Sequence, residues 1–511
     1  MSEQLALLPG YLAAHLQLVL LALGVGTSVS VPLGIAIHRQ PRWEPGVLGV
    51  ASVIQTIPSL ALLAVMVPLF AGLGAALAGT GLEIRGIGFL PAAVALTLYS
   101  LLPILRNTVT GLAGVDPDVR EAARGVGMTA SQQLWQVELP LALPVIVAGL
   151  RTAAVWVVGT ATLSTPIGAT SLGNYIFSGL ATRNDAAIWL GCIAAAGLAL
   201  VLDLAIRWIE RGARERRRGF VLAGAAGLLA LVGFVLAHGA LGDASERPLR
   251  IGSKSFTEQY ILAEVLAQEL AATGVDTEAV PSLGSTVAFD ALASGDLDVY
   301  VDYSGTLWAT ILKRETGAAS RAEVLREVTD YLANEHGIGV AAALGFENTY
   351  ALAMRRADAE ALGLSQLSAL SRHTPRLSIG GDYEFFARAE WRDLVTRYGF
   401  AFEEERSMDP ALMYDAVAAG EVDVISAFST DGRIAALDLA VLADDRGVIP
   451  PYDALVLVGA RLQREHPEAL ARLEALAGRI DAATMQRLNH AVDADGRAPG
   501  EVARAFLAGA F

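Results

Sequence analysis

The stretch EAARGVGMTASQQLWQVELPLALP, residues 121–144, separates two apolar runs and governs how the amino-terminal half of the chain reads. Glu121, Ala122 and Ala123 fall in a helix-forming segment, Gly127 punctuates it, and Leu139 with Pro140 starts the return to apolar sequence. A short helix, a turn and a second helix are expected, forming a rigid knob on one face of a membrane. Working outward, six apolar stretches (12–37, 47–70, 87–112, 141–166, 186–209 and 220–241) approach the roughly 20 residues a helix needs to cross a bilayer. Arg39, Arg42, Arg120, Arg124 and the run RGARERRR at 211–218 fall in the first, third and fifth loops, whereas the intervening loops hold only Arg85 and Arg183. Basic residues of short loops stay in the cytoplasm, so the knob is expected inside, the amino terminus outside, and everything beyond residue 241 outside. No cleaved signal peptide is expected, because residues 1–10 carry no basic side chain and the first apolar run exceeds a usual signal core.

Composition agrees with a membrane chain. Of 511 residues, 53% are hydrophobic and 18% charged, with a mean hydropathy of +0.46. Residues 1–241 hold 14 Arg, no Lys and 11 acidic side chains, whereas the remainder holds 24 basic and 42 acidic ones. An acidic second half argues against nucleic-acid binding, which needs clustered cations. Cys192 is the sole cysteine, which excludes intrachain disulfides and Cys-rich metal sites. No Gly-rich phosphate loop ending in Gly-Lys-Ser/Thr occurs, so any ATPase is expected on a separate polypeptide.

After a linker at 242–248, short aliphatic strands alternate with amphipathic helical segments, the pattern of an α/β domain over 249–511. That domain repeats itself at about 125 residues. FDALASGDLDVYVDYSGT from Phe289 aligns with YDAVAAGEVDVISAFST from Tyr414, IGSKSFTEQ from Ile251 with IGGDYEFFAR from Ile379, and TYALAM with PYDALVLV, placing Tyr350 opposite Tyr452. Two similar lobes, about 249–345 with 449–511 and about 346–448, are expected to face each other across a cleft. Tyr303, Tyr350, Phe428 and Tyr452 open or close strands there, and their π faces suit a quaternary ammonium, which cannot donate an N–H hydrogen bond. Aromatics at strand ends also serve lobe packing. Lys254, one of two lysines against 36 arginines, lies in a strand-to-helix loop, and Arg388 is expected from the equivalent place in the other lobe. Together they could clamp a carboxylate.

The 121–140 segment resembles the coupling loop of ABC-importer permeases: Glu-Ala-Ala, three residues, Gly, nine residues, an aliphatic (here Val137), one residue, Leu-Pro. The resemblance implies that Glu121, Ala122, Ala123, Gly127, Leu139 and Pro140 dock a separate ATP-hydrolysing subunit. IGSKSFTEQYILAE, YVDYSGT, LGFENTYALAM, AFSTDGRI and PPYDAL resemble the substrate-binding proteins of glycine betaine, choline and carnitine importers over nearly all of 249–511. By that resemblance Tyr303, Tyr350, Phe428 and Tyr452 form an aromatic cage, while Lys254, Thr306 and Arg388 hold a carboxylate. Two departures stand out: Phe428 replaces a tyrosine, and Ala389-Glu390-Trp391 replaces a more usual acidic-Gly continuation.

The expectation is therefore a helical membrane domain of about six spans, residues 1–241, fused to a two-lobed α/β binding domain. It is a transporter subunit with no cofactor or metal, in a bacterial plasma membrane, with the binding domain periplasmic or extracellular. Its partners are a separate ATPase, a second copy of the permease, the lipid bilayer and a small cationic or zwitterionic ligand. An ergothioneine or other betaine-type nutrient is the alternative cargo. A sensor would need a cytoplasmic signalling module that these short loops do not supply, and no His cluster or Ser-His-Asp order points to an enzyme.

Overall fold

The computed structural model describes residues 2–77, 84–240, 247–314 and 320–511. It divides into two compact units, 1–176 with 186–245, and 177–185 with 246–511.

In the first unit, five helices are long and apolar enough to cross a membrane: Gln4–Arg39, Phe89–Ala113, Ala130–Ile167, Asp185–Glu215 and Arg218–His238. Phe89–Ala113 is the most enclosed, with 61% of its most apolar window buried, and Arg218–His238 the least, with 6%. Small residues permit close helix approach, as expected where no hydrophobic drive separates helix from lipid. A Cβ on Gly26 would lie 1.9 Å from Ser100 Oγ, on the neighbouring helix. The stretch expected to form one span at 47–70 is instead a pair of helices, Glu44–Thr56 and Ser59–Gly74, bent by 97°. Pro58 explains the break, since the residue before proline is driven out of helical geometry, and Ile57 sits at φ −65°, ψ 128°. Counted as one crossing, the pair gives six. Arg151 is paired within the spans, reaching Asp203 at 2.6 Å and Glu210 at 2.9 Å on the helix Asp185–Glu215.

The segment 121–140 folds as a capped helix, a turn and a second helix. Asp116 caps Pro117–Gly125 by accepting the Asp118 N–H, Gly127 takes φ +84°, and Thr129 forms a reciprocal capping box with Gln132. A single wide turn, Leu134–Glu138, leads into the helix Leu139–Ala161. Arg120 meets Glu138 at 3.3 Å, tying the two arms together. Ala123 is buried between them, while Glu121, Val126 and Trp135 are exposed.

The second unit carries two five-stranded sheets. The first contains β1 (Leu249–Lys254), β2 (Thr277–Leu283), β3 (Val299–Tyr303), β4 (Gly339–Glu347) and β10 (Asp453–Val458), in the order β2-β1-β3-β10-β4. The second contains β5 (Tyr350–Arg355), β6 (Ser378–Gly381), β7 (Glu404–Ser407), β8 (Val424–Phe428) and β9 (Leu439–Leu442), in the order β7-β6-β8-β5-β9. The orders correspond strand for strand, and Ile251 pairs with Val299 as Ile379 pairs with Val424. An aspartate locks each repeat the same way: Asp298 accepts the Arg250 N–H and Asp423 the Ser378 N–H, both at 2.8 Å. β1, β3 and β10 are wholly buried, as strands covered on both faces must be, whereas the edge strand β7 reads Glu-Glu-Arg-Ser and is exposed. The linker expected at 242–248 falls outside the described residues except for its last two positions.

Candidate functional site

Several strand ends and strand starts of the second unit each deliver one part of a cavity of about 170 Å³. β1 ends on Lys254, β3 on Tyr303 and β8 on Phe428, whereas β5 opens on Tyr350 and Tyr452 directly precedes β10. Thr306 lies in the helical turn after β3, and Arg388 occupies the position just before the helix Ala389–Tyr398. All seven residues expected at a ligand site line this one cavity. Arg388, however, does not occupy the place equivalent to Lys254. In the repeat register that place is Asp382, the residue following β6, and Arg388 comes six positions later because a short extra helix, Tyr383–Ala387, intervenes.

The aromatic faces are close-set. Tyr350 lies 5.2 Å from Phe428 and 5.9 Å from Tyr452, nearly perpendicular to the latter. Phe256, not anticipated from the sequence, stacks almost parallel to Phe428 at 5.6 Å and lies 6.2 Å from Tyr303, so it joins the two faces. Gly305 is required beneath Tyr452, because a Cβ there would come within 2.5 Å of the ring. The polar ends of these rings are tied down behind the cavity. Tyr303 donates its hydroxyl to Glu258, and Tyr452 donates to Glu390. Glu258 also accepts from Asn348, Thr430 and Asn489. Burial pushes its carboxyl up, with these donors and Tyr303 opposing the shift.

Both cations are already paired. Lys254 Nζ meets Asp302 at 2.5 Å, and Asp302 accepts a second bond from Tyr300. Arg388 donates to Glu384 at 2.7 Å, with longer contacts of 3.4 Å to Thr306 and Tyr452. Burial would raise the Glu384 carboxyl, but Arg388 and Lys254 outweigh it and hold it below its usual range. With Asp382 and Asp409 also lining the cavity, its charge balance favours a cation. Among the described residues, no group of three or more His, Cys, Asp or Glu side chains is placed to hold a metal.

Sequence reasoning missed Phe256, Asn348, Asp382 and Glu384. Phe256 and Asp382 are visible in the repeat, Asp382 as the partner position of Lys254, but a cation at one strand end does not announce an acid at its counterpart. Asn348 lies in the crossing from β4 to β5, which carries no periodic signal.

Residues 247–509 match the family described as the substrate binding domain of ABC-type glycine betaine transport systems, and residues 28–215 the inner membrane component of binding-protein-dependent transport systems. The chain is 31% identical over 495 residues to the ergothioneine transport permease/ergothioneine binding protein of Helicobacter pylori strain G27, covering 93% of this chain and 86% of that protein. It is 41% identical over 197 residues to the glycine betaine/carnitine/choline transport system permease protein OpuCB of Bacillus subtilis strain 168, covering 39% and 84% of the two chains. A solved structure of a glycine betaine/carnitine/choline ABC transporter is 32% identical, with a TM-score of 0.45, and covers 51% of this chain and 98% of that one.

Proposed function

The chain belongs to the binding-protein-dependent ABC importers of the glycine betaine type, with permease and binding domain in one polypeptide, and from that premise we propose that its cavity captures a small quaternary-ammonium compound for import. The observation that carries this reading is the convergence of Tyr303, Tyr350, Phe428 and Tyr452 on one cavity whose nearby carboxylates leave it short of positive charge. Each aromatic face attracts a cation by about 0.5–2 kcal/mol. Lys254, Thr306 and Arg388 orient a carboxylate when the ligand has one, which requires Asp302 and Glu384 to share their cations with it. Glycine betaine, choline and carnitine fit this chemistry. Ergothioneine, a betaine bearing an imidazole-thione, is a second reading favoured by a relative matched along almost the whole chain.

Two copies of the chain then pair as permeases with separate ATPase subunits. The segment 121–140 docks on the ATPase through Glu121 and its exposed neighbours, with Ala122, Ala123, Gly127, Leu139 and Pro140 setting its shape. With the bent pair counted as one crossing, the binding domain lies outside the plasma membrane. Ligand closes the lobes, the closed domain meets a permease, and ATP binding opens the pathway outward. Tethering keeps the receptor at roughly millimolar effective concentration. Calorimetric titration of the full chain with the four named ligands and with a neutral sugar tests the reading: at least one betaine-type ligand binds and the sugar does not. Sugar binding alone would contradict it.

A further inference from the structure

Asp382 differs from Glu384, which also lines the cavity, and from Asp302 and Glu258 behind it. Glu384 is engaged by Arg388, Asp302 by Lys254 and Tyr300, and Glu258 by four donors. Asp382 spends only one oxygen. Its Oδ1 accepts the N–H groups of Glu384 and Phe385, both at 2.8 Å, which caps the helix Tyr383–Ala387, and the Tyr350 hydroxyl reaches the same oxygen at 3.5 Å. Oδ2 is buried, has no hydrogen-bond partner among the described residues, and belongs to a side chain that lines the cavity. An unpaired buried carboxylate oxygen is costly, more so than a neutral acceptor. A ligand that donates a hydrogen to it recovers that cost; a ligand without a donor does not.

We propose that Asp382 Oδ2 is a specificity-determining acceptor that selects quaternary-ammonium ligands carrying an additional N–H or O–H donor over those, such as glycine betaine, that carry none. The inference rests on the cavity being the betaine site. Two features give it its place. Asp382 follows β6 as Lys254 ends β1, so the repeat sets an acceptor in one lobe against a cation in the other. Closing the lobes then presents a bipolar ligand with a donor at the first and an acceptor at the second. Tyr350, whose hydroxyl lies beside Asp382 and whose ring lines the cage, joins the acceptor to the aromatic faces. The donor can be the hydroxyl of choline or carnitine, or the ring N–H of an imidazole-derived betaine such as ergothioneine. The chemistry at Asp382 is the same.

The test is calorimetry on the full chain in lipid nanodiscs, comparing wild type with Asp382→Asn. Asparagine keeps the capping oxygen and turns the second oxygen into a donor, so it opposes a ligand N–H or O–H. Removing a charge-assisted hydrogen bond should weaken the donor-bearing ligand by about tenfold or more. Glycine betaine should weaken by less than about threefold, through loss of the charge alone, and its retained binding shows that the variant is folded. Asp382→Ser, which keeps a capping acceptor and adds no amide, should give the same ordering. Selective loss for choline and carnitine identifies an O–H donor, and selective loss for ergothioneine an N–H donor. Equal losses for all four ligands in both variants, or no loss, would overturn the proposal while leaving the betaine reading intact. Failure of wild type to bind any of the four would overturn both.

Discussion

Tyr303 holds two roles that substitution can separate. Its hydroxyl bonds to buried Glu258, and its ring lines the cavity. Tyr303→Phe should therefore keep ligand affinity within about threefold while lowering the melting temperature, because it removes one of four donors from a buried carboxylate. Tyr303→Leu removes the π face as well and should cost about 1–2 kcal/mol, a roughly five- to thirtyfold loss of affinity by calorimetry. Phe428→Tyr should leave binding unchanged, since the quadrupole is retained. Burial raises the Asp493 carboxyl to about 6 against an ordinary value of 3.8, with Arg433 opposing the shift, and Thr257 donates to it at 2.6 Å. Between those values the folded state binds more protons than the unfolded one, so this group makes the fold less stable as pH rises from about 4 to 6, by about 1–3 kcal/mol in total. Asp493→Asn should flatten that part of the melting-temperature profile; an unaltered profile would show that Asp493 ionises normally.

At the scale of elements, legibility tracks periodicity. The apolar runs, the alternation of strands and helices and the internal repeat are all readable, and equivalent strands do take equivalent positions, with Tyr350 and Tyr452 at one pair of strand starts and Tyr303 and Phe428 at one pair of strand ends. The break at Pro58 is hidden because hydropathy averages over a window that a single proline barely changes, although its effect on Ile57 is local and strong. Arg388 is misplaced within its lobe for the opposite reason: the extra helix Tyr383–Ala387 has no counterpart in the first lobe, so the repeat alone cannot position the residues beyond that helix. Arg388 and Glu384 stand at a readable i,i+4 spacing, whereas the pairing of Lys254 with Asp302 depends on packing between distant segments and no spacing announces it. The element proposed to dock on the ATPase includes the capped helix pair at 117–133. Glu121 is exposed there and Gly127 holds a left-handed turn. Glu121→Arg should abolish ATP-driven uptake and leave ligand affinity unchanged. Normal uptake at normal expression would remove this loop from the coupling role.

For the whole molecule, the proposed import mechanism puts the proposed ligand site and the proposed coupling loop on opposite sides of the membrane. A cysteine placed at Arg214 should be shielded from an impermeant thiol reagent in intact cells, and one placed at Arg464 should react, each in a Cys192→Ala background because Cys192 is exposed. The opposite pattern would reverse the orientation and with it the direction of transport. Uptake also depends on what the cavity distinguishes, and the proposed cage distinguishes positive charge through its aromatic faces. The most direct measurement is the affinity of the full chain for its best-bound quaternary-ammonium ligand against the tert-butyl analogue in which carbon replaces the nitrogen. Shape and apolar area are nearly matched, so the difference reports the charge. A cage that reads charge should bind the charged ligand at least about tenfold more tightly; equal affinities would show that the cavity selects shape alone and would contradict the claim.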